Sequence, residues 1–273
     1  MITHGLVART REAIRVVRRV FEAHGVEMVL PEEEFRKHPD TARGATAWDE
    51  AAGAVDLALV LGGDGTTLRA LHRFLPFGVP VIGVNYGRVG FLTSIGADEI
   101  ESRLPEVLHG RFDRVSLPTI ELVLFGQRHL AVNDVLVTGG VQGRMAVLEW
   151  EINGERMGER GCDGIVIATP SGSTGYNLSA GGAVLSWGVD AMIVTFVAPH
   201  ALDSRPLVLA HGHAVRVTSR SQGFRSRVVV DGHVVGELDE GEGVEVRMAA
   251  EYAPLAILQD RPFLARYRDT FSR

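Results

Sequence analysis

Gly62-Gly63-Asp64-Gly65-Thr66-Thr67 stands directly after an apolar run, Leu57-Ala58-Leu59-Val60-Leu61. Glycine lacks the side chain that keeps a backbone away from a ligand, so consecutive N–H groups here can close on a phosphate. The spacing predicts a helix from Thr67, whose amino end adds partial positive charge at the same place. Asp64 is the odd member of the set. A carboxylate repels phosphate, so at the mouth of such a turn it suits a metal ligand or a base for a hydroxyl nucleophile. The plain alternative is a tight turn in which Asp64 caps the helix, a frequent use of aspartate. The local sequence supports both.

A second constellation lies further on. Asp163 to Gly182 reads Asp-Gly-Ile-Val-Ile-Ala-Thr-Pro-Ser-Gly-Ser-Thr-Gly-Tyr-Asn-Leu-Ser-Ala-Gly-Gly, an apolar strand entering a loop with Ser171, Ser173, Thr174, Tyr176, Asn177 and Ser179. Small polar groups beside glycines suit a ligand rich in oxygen and nitrogen edges, such as a nucleotide. An ordinary polar turn cluster is the alternative. A serine-hydrolase elbow is excluded, because no G-x-S-x-G occurs there. A third pair, Asn133-Asp134, interrupts an apolar run from Leu130 to Val137. Two polar residues in such a strand need partners, either a ligand or, in a β-bulge, nearby backbone.

The chain has a single lysine, Lys37, against 27 arginines, and no Gly-Lys-Ser/Thr. A Walker-type phosphate loop is therefore ruled out. Lys37 falls in a polar stretch, Glu32 to Asp40, that reads as loop. Phosphate chemistry here has to rest on backbone N–H groups, arginines and a metal. The first turn holds only Gly5, so the G-x-G-x-x-G pyrophosphate fingerprint is missing as well.

The elements that must position these residues alternate in the first hundred positions. Leu6-Val7-Ala8 reads as a short strand, Thr10 to His24 as a helix stopped by Gly25, and Val26 to Leu30 as a second strand. Val55 to Leu61 and Val79 to Val84 follow as strands with a helix, Leu68 to Leu75, between them; Asp98 to Leu108 is a further helix. This alternation implies a parallel sheet covered by helices, a Rossmann-like α/β domain. Beyond Arg111 come short β-branched runs separated by glycines: Ile120–Phe125, Leu130–Val137, Val147–Ile152, Ile165–Thr169, Met192–Ala198, Ala214–Thr218, Arg227–Val230 and Val244–Met248. They predict an antiparallel, β-rich domain. The expected division is an α/β domain at 1–112, a β-rich domain at 113–250 and a tail at 251–273. In the tail, Phe263, Leu264, Tyr267 and Phe271 give a short amphipathic helix that packs on the body and has no assigned chemistry.

The bulk figures narrow the class. At 273 residues, 45% hydrophobic and 23% charged, the chain has the composition of a globular protein with room for a large core. A formal charge of −6 argues against a nucleic-acid partner held by a broad basic surface. One cysteine, Cys162, leaves no internal disulfide and fits a reducing, cytoplasmic setting. No signal peptide is read at Met1, and the best membrane candidate, Ala183 to Pro199, is short and broken by Gly188 and Asp190. His211-Gly212-His213 reads as a turn rather than a metal site.

Taken together and in this order, Gly62-Gly63-Asp64-Gly65-Thr66, Asn85-Tyr86-Gly87 with Gly90-Phe91-Leu92, Asn133-Asp134 and the Asp163–Gly182 run resemble the NAD kinases. The resemblance covers about Asp56 to Val235. It implies the two-domain fold just described and transfer of the ATP γ-phosphoryl group, or in some members that of inorganic polyphosphate, to the adenosine ribose 2′-hydroxyl of NAD. It implies Mg²⁺ brought with ATP, no metal held by the protein, and a homodimer or homotetramer. Asp64 then corresponds to the catalytic carboxylate, with Gly63 and Gly65 beside it. Asn133, Asp134, Asp163, Ser171, Thr174, Gly175, Tyr176, Asn177, Leu178 and Ser179 correspond to the dinucleotide site. Arg144 and Arg160 lie near positions that are basic in relatives, and His233 stands where Gln is frequent. Asp134 replaces the usual Glu and Gly175 a frequent Ala. Tyr86 and Phe91 are aromatic walls or core. Lipid and sugar kinases share the Gly-Gly-Asp-Gly turn but would need an acyl groove or a sugar-specific cluster in place of the 163–182 loop. A non-catalytic NAD(P)-binding regulator would leave Asp64 dispensable.

Overall fold

The computed structural model describes residues 1–5, 7–40, 44–49, 55–86, 90–141, 144–201 and 203–272. The chain divides into two compact units, Met1–Ser116 with Ala253–Arg273, and Leu117–Tyr252.

The first unit is α/β. In chain order it holds β1 (Ile2–Thr3), α1 (Val7–Ala23), β2 (Val29–Pro31), α2 (Glu32–Lys37), β3 (Thr46–Trp48), β4 (Ala58–Gly62), α3 (Asp64–Phe74), β5 (Val81–Asn85), β6 (Thr93–Gly96) and α4 (Ile100–Leu108). β4 lies between β1 and β5, and β6 adds to β5, all in parallel. All five residues of β4 are buried, as a central parallel strand covered on both faces requires. Ile14, Val17 and Phe21 of α1 and Leu104 of α4 form one core with Leu59, Leu61, Ile82 and Val84.

Two local expectations are corrected here. The first strand is Ile2–Thr3, paired with Val60 and Leu61, and Val7 and Ala8 already belong to α1; Leu6 lies outside the described residues. The stretch expected as loop from Glu32 to Asp40 contains a helix. Glu32, Glu33 and Glu34 fill its first turn and Arg36 and Lys37 its last, complementing the helix dipole. Glu32–Arg36 (2.8 Å) and Glu34–Lys37 (2.7 Å) add pairs one turn apart. Phe35 is its one apolar residue, packed against the core, so an apolar periodicity cannot find this helix.

The second unit is antiparallel. It holds β7 (Asp113–Leu124, from Leu117), β8 (Gln127–Ala131), β9 (Asp134–Gly139), β10 (Ala146–Ile152), β11 (Glu155–Cys162), β12 (Gly164–Ala168), α5 (Tyr176–Ser179), β13 (Ala191–Val197), β14 (Leu207–Ala210), β15 (Ala214–Ser219), β16 (Ser226–Val230), β17 (His233–Leu238) and most of β18 (Gly243–Ile257). One sheet runs β14-β13-β12-β9-β16-β17. Ile165 and Ile167 of β12 face a core shared with Leu148, Val215, Val217 and Val246, while Val166 and Ala168 face the opposite side with Leu136 and Leu185. The expected single strand from Leu130 to Val137 is two strands, broken at Val132-Asn133: β8 pairs with β7, and β9 with β12 and β16. The chain changes sheets at the polar pair. From Ala253 the chain rejoins the first unit, where Leu255 pairs with Val81 and a last helix follows, α6 (Phe263–Phe271). Among the described residues no helix is long and apolar enough to cross a membrane.

Candidate active site

In the first unit the chemistry gathers where β4 ends. The helix starts at Asp64, three residues earlier than expected, with Gly63 extended (φ −103°) in the cap position. Asp64 does not cap its own helix. Its two carboxylate oxygens accept the N–H groups of Phe91 (2.7 Å) and Leu92 (3.0 Å). Gly90 makes this grip possible, because a Cβ there would run into the Asp64 carboxylate. At Gly62 a Cβ would lie 2.6 Å from Thr66 Oγ1, so packing explains that glycine. Gly63 and Gly65 are different: neither has a positive φ, and a Cβ on either would meet nothing within 4 Å. Their bareness keeps room at the amino end of α3, where the Thr66 and Thr67 N–H groups donate to Gly63 O (3.0 Å each).

Burial pushes the Asp64 carboxyl above its usual range, against the N–H bonds from Phe91 and Leu92 and the charge of Arg266, which favour ionisation. Arg266, on α6, is buried and donates to the carbonyl oxygens of Phe91 (2.8 Å), Thr93 and Arg261 (2.9 Å) and to Ser94 Oγ (2.7 Å). Burial lowers its pKa to about 10, and Asp64 opposes that fall. Sequence reasoning missed it. The available signal was an arginine three residues after Phe263, where helical spacing calls for an apolar side chain. Phe91 is core, packed 5.9 Å from the rings of both Phe263 and Phe271. Tyr86 is half-buried beside the core cluster, and Gly87 lies outside the described residues.

In the second unit, Asn133 and Asp134 meet the 169–179 loop. Thr169 N–H donates to Asn133 O (2.8 Å), Thr169 Oγ1 to Val132 O (2.6 Å), and Ser171 Oγ to Asn133 Oδ1 (2.9 Å). Gly172 sits against the Asn133 backbone with no space for a Cβ. The polar partners that the 132–134 break requires come from Asp231, in the β16–β17 turn with φ +45°. Its carboxylate accepts the N–H groups of Val132 (2.7 Å), Asn133 (2.9 Å) and Asp134 (2.8 Å). Burial, and then the Asp231 charge, push the Asp134 carboxyl up to about 7. Asp231 carries no sequence signal of this role beyond its place in an Asp-Gly turn.

Much of the loop's polarity is spent internally. Asn177 is buried, its Nδ2 donating to Ser173 O and Ala183 O (both 3.0 Å) and its Oδ1 accepting from Thr195 (2.7 Å). Ser173 Oγ donates to Pro170 O (2.7 Å) and accepts Leu185 N–H (2.9 Å). Thr174 Oγ1 donates to Ser171 O (3.0 Å). Gly175, Tyr176 and Ser179 are exposed and Leu178 half-buried. A Cβ on Gly175 would lie 3.3 Å from Gly172 O and 4.0 Å from an Asp134 oxygen. Asp163 has an exposed side chain, and its carbonyl accepts Thr138 Oγ1 (2.6 Å). Arg144 is exposed, its guanidinium 5.8 Å from the Phe224 ring centre; Arg160 lies 3.9 Å from Asp203; His233 is exposed at the start of β17. His211 contacts Asp190 (3.2 Å), and His213 Nδ1 lies 2.9 Å from Ala210 O.

Comparison with known proteins bears on this geometry. Residues 5–112 match the ATP-NAD kinase N-terminal domain and residues 132–258 the ATP-NAD kinase C-terminal domain. The chain is 37% identical over 220 residues to an NAD kinase of Heliobacterium modesticaldum, covering 79% of this chain and 78% of that protein. An NAD kinase of Geobacter sulfurreducens is 36% identical over 248 residues, 89% of this chain and 86% of that protein. In fold the chain resembles yeast NADH kinase complexed with NADH, with TM-score 0.87 and 24% identity over 99% of this chain and 86% of that one. It also resembles an NAD kinase from Archaeoglobus fulgidus in complex with ATP, with TM-score 0.68 over 90% and 97% of the two chains. The chain belongs to the NAD kinase family.

Proposed function

We propose that this protein transfers the γ-phosphoryl group of ATP to the 2′-hydroxyl of the adenosine ribose of NAD, with Asp64 as the base. In that step the hydroxyl proton passes to Asp64, the oxygen bonds to the γ-phosphorus, and the bond to the bridging oxygen breaks, leaving ADP and NADP. One observation carries the reading: Asp64 opens α3 between two glycines whose bareness neither packing nor backbone conformation demands. Burial lifts its basicity while two N–H bonds fix its oxygens, which suits a weakly acidic alcohol. The positive end of the α3 dipole, opened by bare glycines, suits phosphate. In the second unit, Asn133, Asp134 and the exposed part of the 174–179 loop are read as the residues that hold the dinucleotide.

Mg²⁺ is read as part of the donor substrate, held by its phosphate oxygens. It supplies positive charge to a triphosphate that no lysine meets. The same reading takes the protein as a homodimer or homotetramer, and places it in the cytoplasm, a reducing compartment that its single free cysteine, Cys162, fits. The test is incubation with NAD, Mg²⁺ and either ATP or polyphosphate, followed by enzymatic detection of NADP. Excess chelator should abolish turnover. Asp64→Asn should retain the fold and NAD binding while losing about two orders of magnitude in turnover; a variant with near wild-type turnover sinks the reading.

A further inference from the structure

We propose that Arg266 is a positioning residue for the transfer, holding from the carbonyl side the same Phe91–Ser94 segment that Asp64 holds from the amide side. The inference rests on the reading of Asp64 as the base. The link is a single peptide group. The Leu92 N–H donates to Asp64 Oδ1 at 3.0 Å, and the carbonyl at the other end of that amide, Phe91 O, accepts from Arg266 Nη1 at 2.8 Å. Cation, amide and anion are in series, and each polarises the next. Four guanidinium N–H bonds, to Phe91, Thr93, Ser94 and Arg261, leave the arginine no second orientation. Gly90 lets the carboxylate reach the segment, and Arg266 stops the segment from withdrawing.

A buried arginine is costly, since its charge leaves water. An apolar side chain would anchor α6 on Phe91 at lower cost. What the guanidinium adds is charge and a fixed fork of donors. Of the charged groups that act on it, Asp64 favours the Arg266 cation and Arg261 opposes it, while Glu99 holds Arg261 at 3.0 Å. Arg266 is the charge that counters the burial of Asp64.

Arg266→Gln, Arg266→Lys and Ser94→Ala separate a positioning role from a merely structural one. Arg266→Gln should cut kcat by about 10²-fold, with KM for NAD within about twofold of wild type. The acidic limb of its kcat–pH profile should move to higher pH, because the charge that favours ionised Asp64 is gone. Arg266→Lys keeps the charge without the fork and should fall between Arg266→Gln and wild type in kcat, with its limb near the wild-type position. Ser94→Ala removes one acceptor and should give a smaller loss. Combining Arg266→Gln with Asp64→Asn should cost nothing beyond Asp64→Asn alone, since one residue acts through the other. Losses that multiply, or an unmoved limb in a folded Arg266→Gln variant, overturn the proposal. If Arg266→Gln does not fold, Arg266→Lys and Ser94→Ala decide: wild-type kcat in both overturns it. A wild-type enzyme indifferent to Asp64→Asn would instead overturn the underlying reading of the base.

Discussion

Asp134 and Asp231 lie at the break between β8 and β9, and their unequal treatment has a measurable effect. Asp231 accepts three N–H groups, whereas Asp134 has burial and the Asp231 carboxylate against its ionisation. The folded protein therefore holds a proton on Asp134 up to about pH 7, whereas the unfolded chain releases it near 3.8. Between these values the folded state binds more protons than the unfolded state, so this group makes stability fall as pH rises through the window and level off above it. Asp134→Asn should flatten that part of the Tm–pH curve and, above pH 7, be more stable than wild type by on the order of a few kcal/mol at most, read as a higher Tm. An unchanged slope between pH 4 and 7 would show that the carboxyl titrates normally. Asp134→Ala should in addition raise the NAD KM several-fold with a smaller change for ATP.

At the scale of elements, α3 sets the terms. Gly65 is an interior residue of its first turn, and alanine there has open space, so Gly65→Ala should help the helix by up to about 1 kcal/mol. If the space belongs to the reaction, the same methyl group obstructs it. The expected outcome is a Tm equal to or above wild type with turnover reduced at least about tenfold; lost stability would mean that the glycine serves the fold. The elements also mark what the sequence could disclose. β4, β5, β12 and β13 are legible because strands buried along nearly their whole length read as near-continuous apolar runs. β11, Glu-Arg-Met-Gly-Glu-Arg-Gly-Cys, is held by its partner β10 and has no such run. The turn around Asp64 was legible as chemistry, but not the direction of its carboxylate, since Phe91 and Leu92 are 27 and 28 residues away. In the 171–179 loop the count of polar side chains overstated the supply for a ligand, because Ser173 and Asn177 serve the loop itself.

At the scale of the whole molecule, the two sets of site residues fall in different units, and the chain visits the first unit twice. Ala256 and Leu258 belong to its core, and α6 packs Phe263 and Phe271 on Phe91. Truncation before Pro262 removes Arg266 and those rings but leaves Asn133, Asp134 and the 169–182 loop untouched. The shortened protein should still bind NAD measurably by calorimetry while turnover is lost and a melting transition moves down. Full turnover after truncation would mean that α6 is dispensable to the Asp64 segment.

The second visit also orders events in time. A ribosome delivers Leu117–Tyr252 as one uninterrupted stretch, so the β-rich unit can close while synthesis continues. Asp64 is made far earlier, yet the residues that complete its surroundings, through Phe271, are among the last of this sequence to emerge. On the proposed roles, a nascent chain should acquire the residues that grip the dinucleotide before those that complete the base, so a product interrupted before α6 should bind NAD without turning it over.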